Sequence, residues 1–124
     1  PSWLPQPAQW AELSVAAQTG DWDSTLEMYR TALELRRLHP ALGAGSEVTW
    51  LDAPDGVLAF RRDGAPGEQG FVCVVNLTSQ PVTIPSPGKV LLSSGADVRR
   101  GQANDGDSSR TSVIAADTTV WWAI

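Results

Sequence analysis

The stretch Asp23-Ser24-Thr25-Leu26-Glu27-Met28-Tyr29-Arg30-Thr31-Ala32-Leu33-Glu34-Leu35-Arg36-Arg37-Leu38-His39-Pro40 runs straight into chain that reads as short β-strands up to the last residue. Within it Leu26, Tyr29 and Leu33 recur at i, i+3 and i+7, and Met28, Ala32 and Leu35 form an adjacent stripe. That spacing is helical. Together the stripes are broader than a surface helix needs, so much of this helix expects to be covered. Asp21 or Asp23 can cap the first turn, while Ser24 and Glu27 have capping-box spacing and offer an alternative start. Arg36, Arg37 and His39 complement the negative C-terminal end, and Pro40 drives His39 out of helical geometry and closes the segment.

After Pro40 the period becomes two. Residues 47–52 carry Val48 and Trp50 on one side and Leu51 on the other, and Asp55-Gly56 is a hairpin turn signal. Strands are predicted over 57–62 and 71–77, the latter an almost unbroken apolar run suited to a central strand. A short strand over 82–84 is flanked by prolines, as edge strands often are. Further strands are predicted over 89–93, 111–114 and 119–124, with a polar loop rich in Gly, Asp and Ser between 94 and 109. Seven short strands at this spacing indicate a mainly β chain, an antiparallel sandwich. No internal repeat is visible.

A helix followed only by strands marks the end of one domain and the whole of another. The expected division is 1–42, the end of a helical layer, and 43–124, a β-sandwich. Upstream of the helix, Pro1, Pro5 and Pro7 impose extended or turning chain, with Trp3 and Trp10 as its anchors on something large; Ala11 to Gln18 can form a short helical turn that Gly20 ends. The first residue is Pro1 and the one methionine is Met28, so the chain is expected to lack its natural start.

The 124 residues are 42% apolar and 19% charged, enough for one core with a surface somewhat poor in charge. A net charge of −5 and an isoelectric point near 4.6 argue against nucleic acid and anionic membranes as partners. No apolar run is long enough to span a bilayer. The lone Cys73, inside Phe71-Val72-Cys73-Val74-Val75, reads as a buried small hydrophobe; a single cysteine fits a reducing compartment, and a cytoplasmic location is the expectation.

No self-sufficient active site is legible. The one histidine, His39, sits in the helix exit and reads as structural. With one His and one Cys, a zinc site has too few ligands, and no glycine-rich loop opens a helix. Asn104-Asp105-Gly106-Asp107, with Asp97 nearby, has oxygen ligands for a hard cation but not the spacing of a dedicated calcium loop. Asn76-Leu77-Thr78 has the form of a glycosylation acceptor, yet Asn76 ends a buried strand and reads as structural. Trp121-Trp122 is the best remaining candidate. Neighbours on a strand point to opposite faces, so one ring should enter the core and the other face outward. An outward ring can pack on a neighbouring domain, stack on a sugar, or simply be exposed.

The opening Pro1-Ser2-Trp3-Leu4-Pro5 resembles the segment after the last barrel strand of α-glucosidases and oligo-1,6-glucosidases of the α-amylase superfamily. Trp10 to Gln18 looks like a loop of the same enzymes. The run Asp23-Ser24-Thr25-Leu26, Tyr29-Arg30, Leu33, Leu35-Arg36-Arg37 and Pro40-Ala41-Leu42 is similar to their last barrel helix. Phe71 to Leu77 looks like a middle strand of their C-terminal sandwich. The resemblance implies a parent (β/α)₈-barrel enzyme that acts on α-glucosides with retention of configuration. Its nucleophilic aspartate, acid–base glutamate and second aspartate would precede Pro1, so no catalytic residue, cofactor or metal ligand is carried over; Asp21 and Asp23 stand at capping positions.

Two readings follow. In the first, the chain is a non-catalytic C-terminal portion of such an enzyme whose partner is the barrel. In the second, it is an independent carbohydrate- or protein-binding sandwich with a helical arm. The first predicts a broad uncovered apolar face; the second predicts a row of exposed aromatic rings and a helix folded onto its own sheet.

Overall fold

A computed structural model describes residues 4–43, 47–95 and 111–124. Trp3 and the acidic group at Asp97 and Asn104–Asp107 lie outside these residues. A 3₁₀ segment, Ala8–Leu13, leads into the short helix α1, Val15–Gln18, with Ser14 as its cap. Gly20 then turns the chain at φ 82°.

Helix α2 spans Thr25–Leu38. Its cap is Ser24, whose hydroxyl accepts the Glu27 N–H at 3.2 Å, rather than Asp21 or Asp23. Asp21 folds back to accept the Asp23 N–H at 3.1 Å, which shapes the approach to the helix. Glu27 does not complete a capping box either. Its carboxylate accepts the Gly20 N–H at 3.0 Å and pairs with Arg30 at 2.7 Å, tying the helix start to the turn before it. At the far end the His39 N–H closes on the Leu35 carbonyl at 2.8 Å, and Pro40 starts a 3₁₀ turn, Pro40–Leu42.

Seven strands follow among the described residues: β1 Thr49–Trp50, β2 Val57–Arg62, β3 Phe71–Asn76, β4 Val82–Pro85, β5 Lys89–Ser93, β6 Thr111–Ile114 and β7 Thr118–Ala123. They form a five-stranded sheet in the order β1-β2-β3-β7-β5 and a two-stranded sheet of β4 and β6, with every pair antiparallel. The apolar run at β3 takes the central position because both of its faces are covered. The proline-flanked β4 has one partner, β6, and so is an edge. Strand β1 is shorter than the alternation at 47–52 suggested, with two residues in the ladder. At the turn into β2, Gly56 takes φ 77°, and a Cβ there would stand 2.6 Å from the Thr78 methyl, so the Asp55-Gly56 signal reflects both backbone sign and space.

Alternation sorts the sheet residues into two clusters. Val57, Ala59, Val72, Val74, Val120 and Trp122 meet Ile114 and the half-buried Val82 and Ile84 of the small sheet. This inner cluster is the core of the sandwich. Phe71 and Cys73 point to the other face and pack with Ala41, Leu42, Phe60, Leu91 and Trp121. A bulge between Val90 and Leu92 breaks the β5–β7 register and lets Leu91 join this outer cluster.

The ends of the sheet are stitched by Asn76, which is 0% exposed. Its Nδ2 donates to the carbonyls of Gln80 at 2.8 Å, Ala115 at 2.9 Å and Ile114 at 3.3 Å. Its Oδ1 accepts from the Thr78 N–H at 3.0 Å and the Thr78 hydroxyl at 2.8 Å. One amide thus joins the β3–β4 turn to the β6–β7 turn, where Asp117 adopts φ 50° and donates its N–H to Thr78.

Candidate docking surface

Helix α2 lies on the outer face of the five-stranded sheet, and its two apolar stripes meet different fates. Met28, Ala32 and Leu35 are half-buried, with Glu27 and Thr31 buried beside them. Met28, Tyr29 and Ala32 line a groove of about 260 Å³ whose other wall is Leu92, Ser94, Thr119 and Trp121. The second stripe is covered only at its start: Leu26 is half-buried, whereas Tyr29, at the groove rim, is 61% and Leu33 51% exposed, and Trp22 and Leu38 are exposed too. Both structural expectations for the helix are therefore met at once. It folds onto its own sheet along one stripe and leaves most of the other uncovered.

The sheet is covered unevenly as well. Trp122 is 1% exposed and belongs to the inner core, so the ring that faces outward is Trp121. Trp121 stands edge-on to Phe71 at 5.4 Å and forms the floor of the groove under α2. From Phe71 the aromatic series continues to Phe60 at 6.3 Å and to Trp50 at 5.9 Å, crossing the sheet towards its β1 edge. Burial falls along it: Phe71 is buried, Phe60 half-buried, and Trp50 67% exposed. Exposed Leu58 and half-buried Val75 widen the same uncovered half of the face. Trp50 was not singled out from the sequence. Its alternation with Val48 was visible, but one apolar side of an edge strand carries no sign of whether another element covers it.

The buried titratable residues among those described are Glu27, His39 and Cys73. Among the described residues Glu27 is the one buried carboxylate, and it is engaged by Gly20 and Arg30. The Gly20 N–H bond first, and Arg30 after it, hold its carboxyl below the ordinary value against the opposing effect of burial. Cys73 is buried beneath Trp121, and burial pushes its thiol up to about 11. His39 is buried against Phe71, and desolvation lowers its pKa. Asn76 is used completely by the turns it joins and offers no surface for a glycan. Among the described residues no three His, Cys, Asp or Glu side chains gather as a metal site, and no helix is long and apolar enough to cross a membrane.

A profile described as a domain of unknown function, DUF3459, matches residues 44–121. The chain belongs to this family. The DUF3459 chain is also 33% identical, over 89 residues, to a probable α-glucosidase of Rhizobium meliloti (strain 1021); the match covers 72% of this chain and 16% of that protein. Among solved structures it resembles the trehalulose synthase MutB of Pseudomonas mesoacidophila MX-45, with a TM-score of 0.71 and 20% identity over 98% of this chain and 21% of that one. A variant of that enzyme in complex with sucrose gives a TM-score of 0.72, with 20% identity over 98% and 21% of the two chains. The fold is that of the C-terminal β-sandwich of α-amylase-family enzymes, together with the helix that precedes it. The DUF3459 chain spans about a sixth of the length of the α-glucosidase and about a fifth of that of the synthase.

Proposed function

We propose that this chain is the non-catalytic C-terminal part of a retaining α-glucosidase-type glycoside hydrolase, and that its sandwich stabilises the (β/α)₈ barrel of that enzyme. In this reading residues 1–42 finish the barrel and residues 43–124 are the sandwich. The observation that carries it is the apolar surface left exposed at Tyr29 and Leu33 on α2 and at Trp50 and Leu58 on the sheet, with Phe60 half-buried beside them. An apolar face of this breadth is a contact surface. The relatives' greater length supplies a body to cover it, and the start of the family match at residue 44 agrees with a boundary just after Leu42. A retaining glycosidase needs two carboxyl groups about 5 Å apart across the bond it cleaves. The one buried carboxylate among the described residues, Glu27, is occupied elsewhere, which supports a chemistry carried by the barrel.

The purified 124-residue chain is expected to show no turnover of an aryl α-glucoside; measured turnover free of longer protein overturns the reading. Joined to the barrel, Tyr29→Asp and Leu33→Asp should lower thermal stability much more than in the isolated chain, where both side chains already face water.

One observation favours the second reading, an independent carbohydrate-binding module: the exposed indole of Trp50, held by its edge contact with Phe60. Maltose titration separates the two. A saturable change in tryptophan fluorescence that Trp50→Ala abolishes supports the module; no response supports the contact surface.

A further inference from the structure

The join between helix and sheet is closed by a histidine. His39 is 8% exposed and stands edge-on to Phe71 at 5.9 Å, where α2 hands over to the Pro40–Leu42 turn. Its backbone is spent on the helix end, and both ring nitrogens are buried without a hydrogen-bond partner among the described residues. Beside it Ala41 is packed at 2% exposure, and Arg62 donates to the Gly43 carbonyl at 3.2 Å, so this short segment is the hinge by which α2 is fastened to the sheet.

The charges around this hinge are unfavourable to a second positive one. On the helix side the last turn carries Arg36 and Arg37. The Pro40–Leu42 turn has no titratable group. From β3 the neighbours are Phe71 and Cys73, whose thiol stays neutral. From β2 comes Arg62, the register partner of Phe71. Just after β7, Ile124 packs its side chain with the inner cluster on the opposite face. Among the described residues no carboxylate is paired with the imidazole, and the negative end of the helix is the one feature there that favours a cation.

We propose that His39 is an acid-sensitive clasp: neutral, it seats α2 on the sheet, and protonated, it releases the helix and the Pro40–Leu42 turn while the sandwich stays folded. The second half follows from the two separate cores. The inner cluster, drawn from β2 to β7, contains no residue of α2, so it does not need the helix. The helix, with most of one stripe already in water, is the less stable unit. The sign follows from linkage. The neutral ring is favoured in the seated form, so seating is fully supported above about pH 6.5, the ordinary value, and weakens as pH falls towards the lower value of the buried ring. Glu27 also weakens on acidification, but only below its ordinary value of 4.5, which leaves a separate window between the two.

The test is backbone amide exchange of the 124-residue chain, corrected for intrinsic rates, together with the NMR titration of the His39 ring. Protection of Thr31 and Leu35 should fall at least threefold between pH 6.5 and 4.5, following the ring titration, while Val72 and Val74 stay unchanged. In His39→Gln the fall should vanish, and in Glu27→Gln it should persist. His39→Phe, which keeps an aromatic ring on Phe71, provides a second neutral variant if the glutamine variant seats poorly. Protection of α2 that is flat across the window, or that falls equally in both neutral variants, or that falls together with β3, overturns the proposal.

Discussion

Asn76→Ala tests whether one buried amide holds the two ends of the sandwich together. The substitution removes the donor to the Ala115 and Gln80 carbonyls, the longer bond to the Ile114 carbonyl, and the acceptor for the Thr78 N–H and hydroxyl. Two of these groups have a substitute. The Thr78 hydroxyl also lies 2.8 Å from the Gln80 carbonyl, so without Asn76 its one proton can turn to that carbonyl and satisfy both groups. The Ala115 carbonyl and the Thr78 N–H lose the Asn76 side chain, and a buried group left unmatched costs roughly 1–2 kcal/mol. The expected loss is therefore about 2–4 kcal/mol, a large part of the stability of a small domain. Urea denaturation followed by tryptophan fluorescence measures it. With a slope of about 1.5 kcal/mol/M the midpoint should fall by about 2 M, with the slope unchanged. Thr78→Val keeps the N–H to Oδ1 bond and should cost about 1 kcal/mol. Leu77→Ala, at an exposed position between them, should stay within about 0.5 kcal/mol. A loss below about 1 kcal/mol for Asn76→Ala would refute the reasoning, as would equal losses for all three variants.

Trp122→Ala empties the centre of the inner cluster and should cost roughly 3–5 kcal/mol, enough to leave the chain largely unfolded by near-ultraviolet circular dichroism. The Cys73 thiol, raised to about 11 by burial, should resist a disulfide reagent at pH 8 in the native chain and react at once in denaturant; rapid native reaction would contradict its placement. Glu27 has a carboxyl held below 4.5, so its support of the helix start is complete above that value and is lost as pH falls through the lower folded value. Glu27→Gln should remove that acid step from a titration of helical circular dichroism.

The aromatic series across the outer face shows why the docking surface has to be read from structure. Each ring lies on a different strand, and the contacts Trp50–Phe60–Phe71–Trp121 arise from cross-strand register, which a local pattern does not contain. The same holds for Asn76. Its position at the end of a buried strand marked it as structural, but its partners at Ala115 and Ile114 are brought to it only by the pairing of β3 with β7 and of β4 with β6. The helix start went the other way. Three capping residues were available within four positions, and the one whose hydroxyl meets the Glu27 N–H was decided by how Asp21 and Gln18 fold beneath it: Asp21 holds the Asp23 N–H, and the Gln18 carbonyl accepts the Ser24 hydroxyl at 3.0 Å.

At Leu38-His39-Pro40 the sequence alone determined that a helical period ends and a strand period begins, because proline removes an N–H and restricts the residue before it whatever surrounds them. It also determined the antiparallel sandwich and the central place of Phe71–Asn76, since hydrophobic period and turn residues act within a few positions. Only the tertiary structure decided which face of α2 is covered, which tryptophan of the Trp121-Trp122 pair is the core residue, and that His39 is the buried fastening between helix and sheet. Burial depends on what lies across the gap, and that neighbour is distant in the chain.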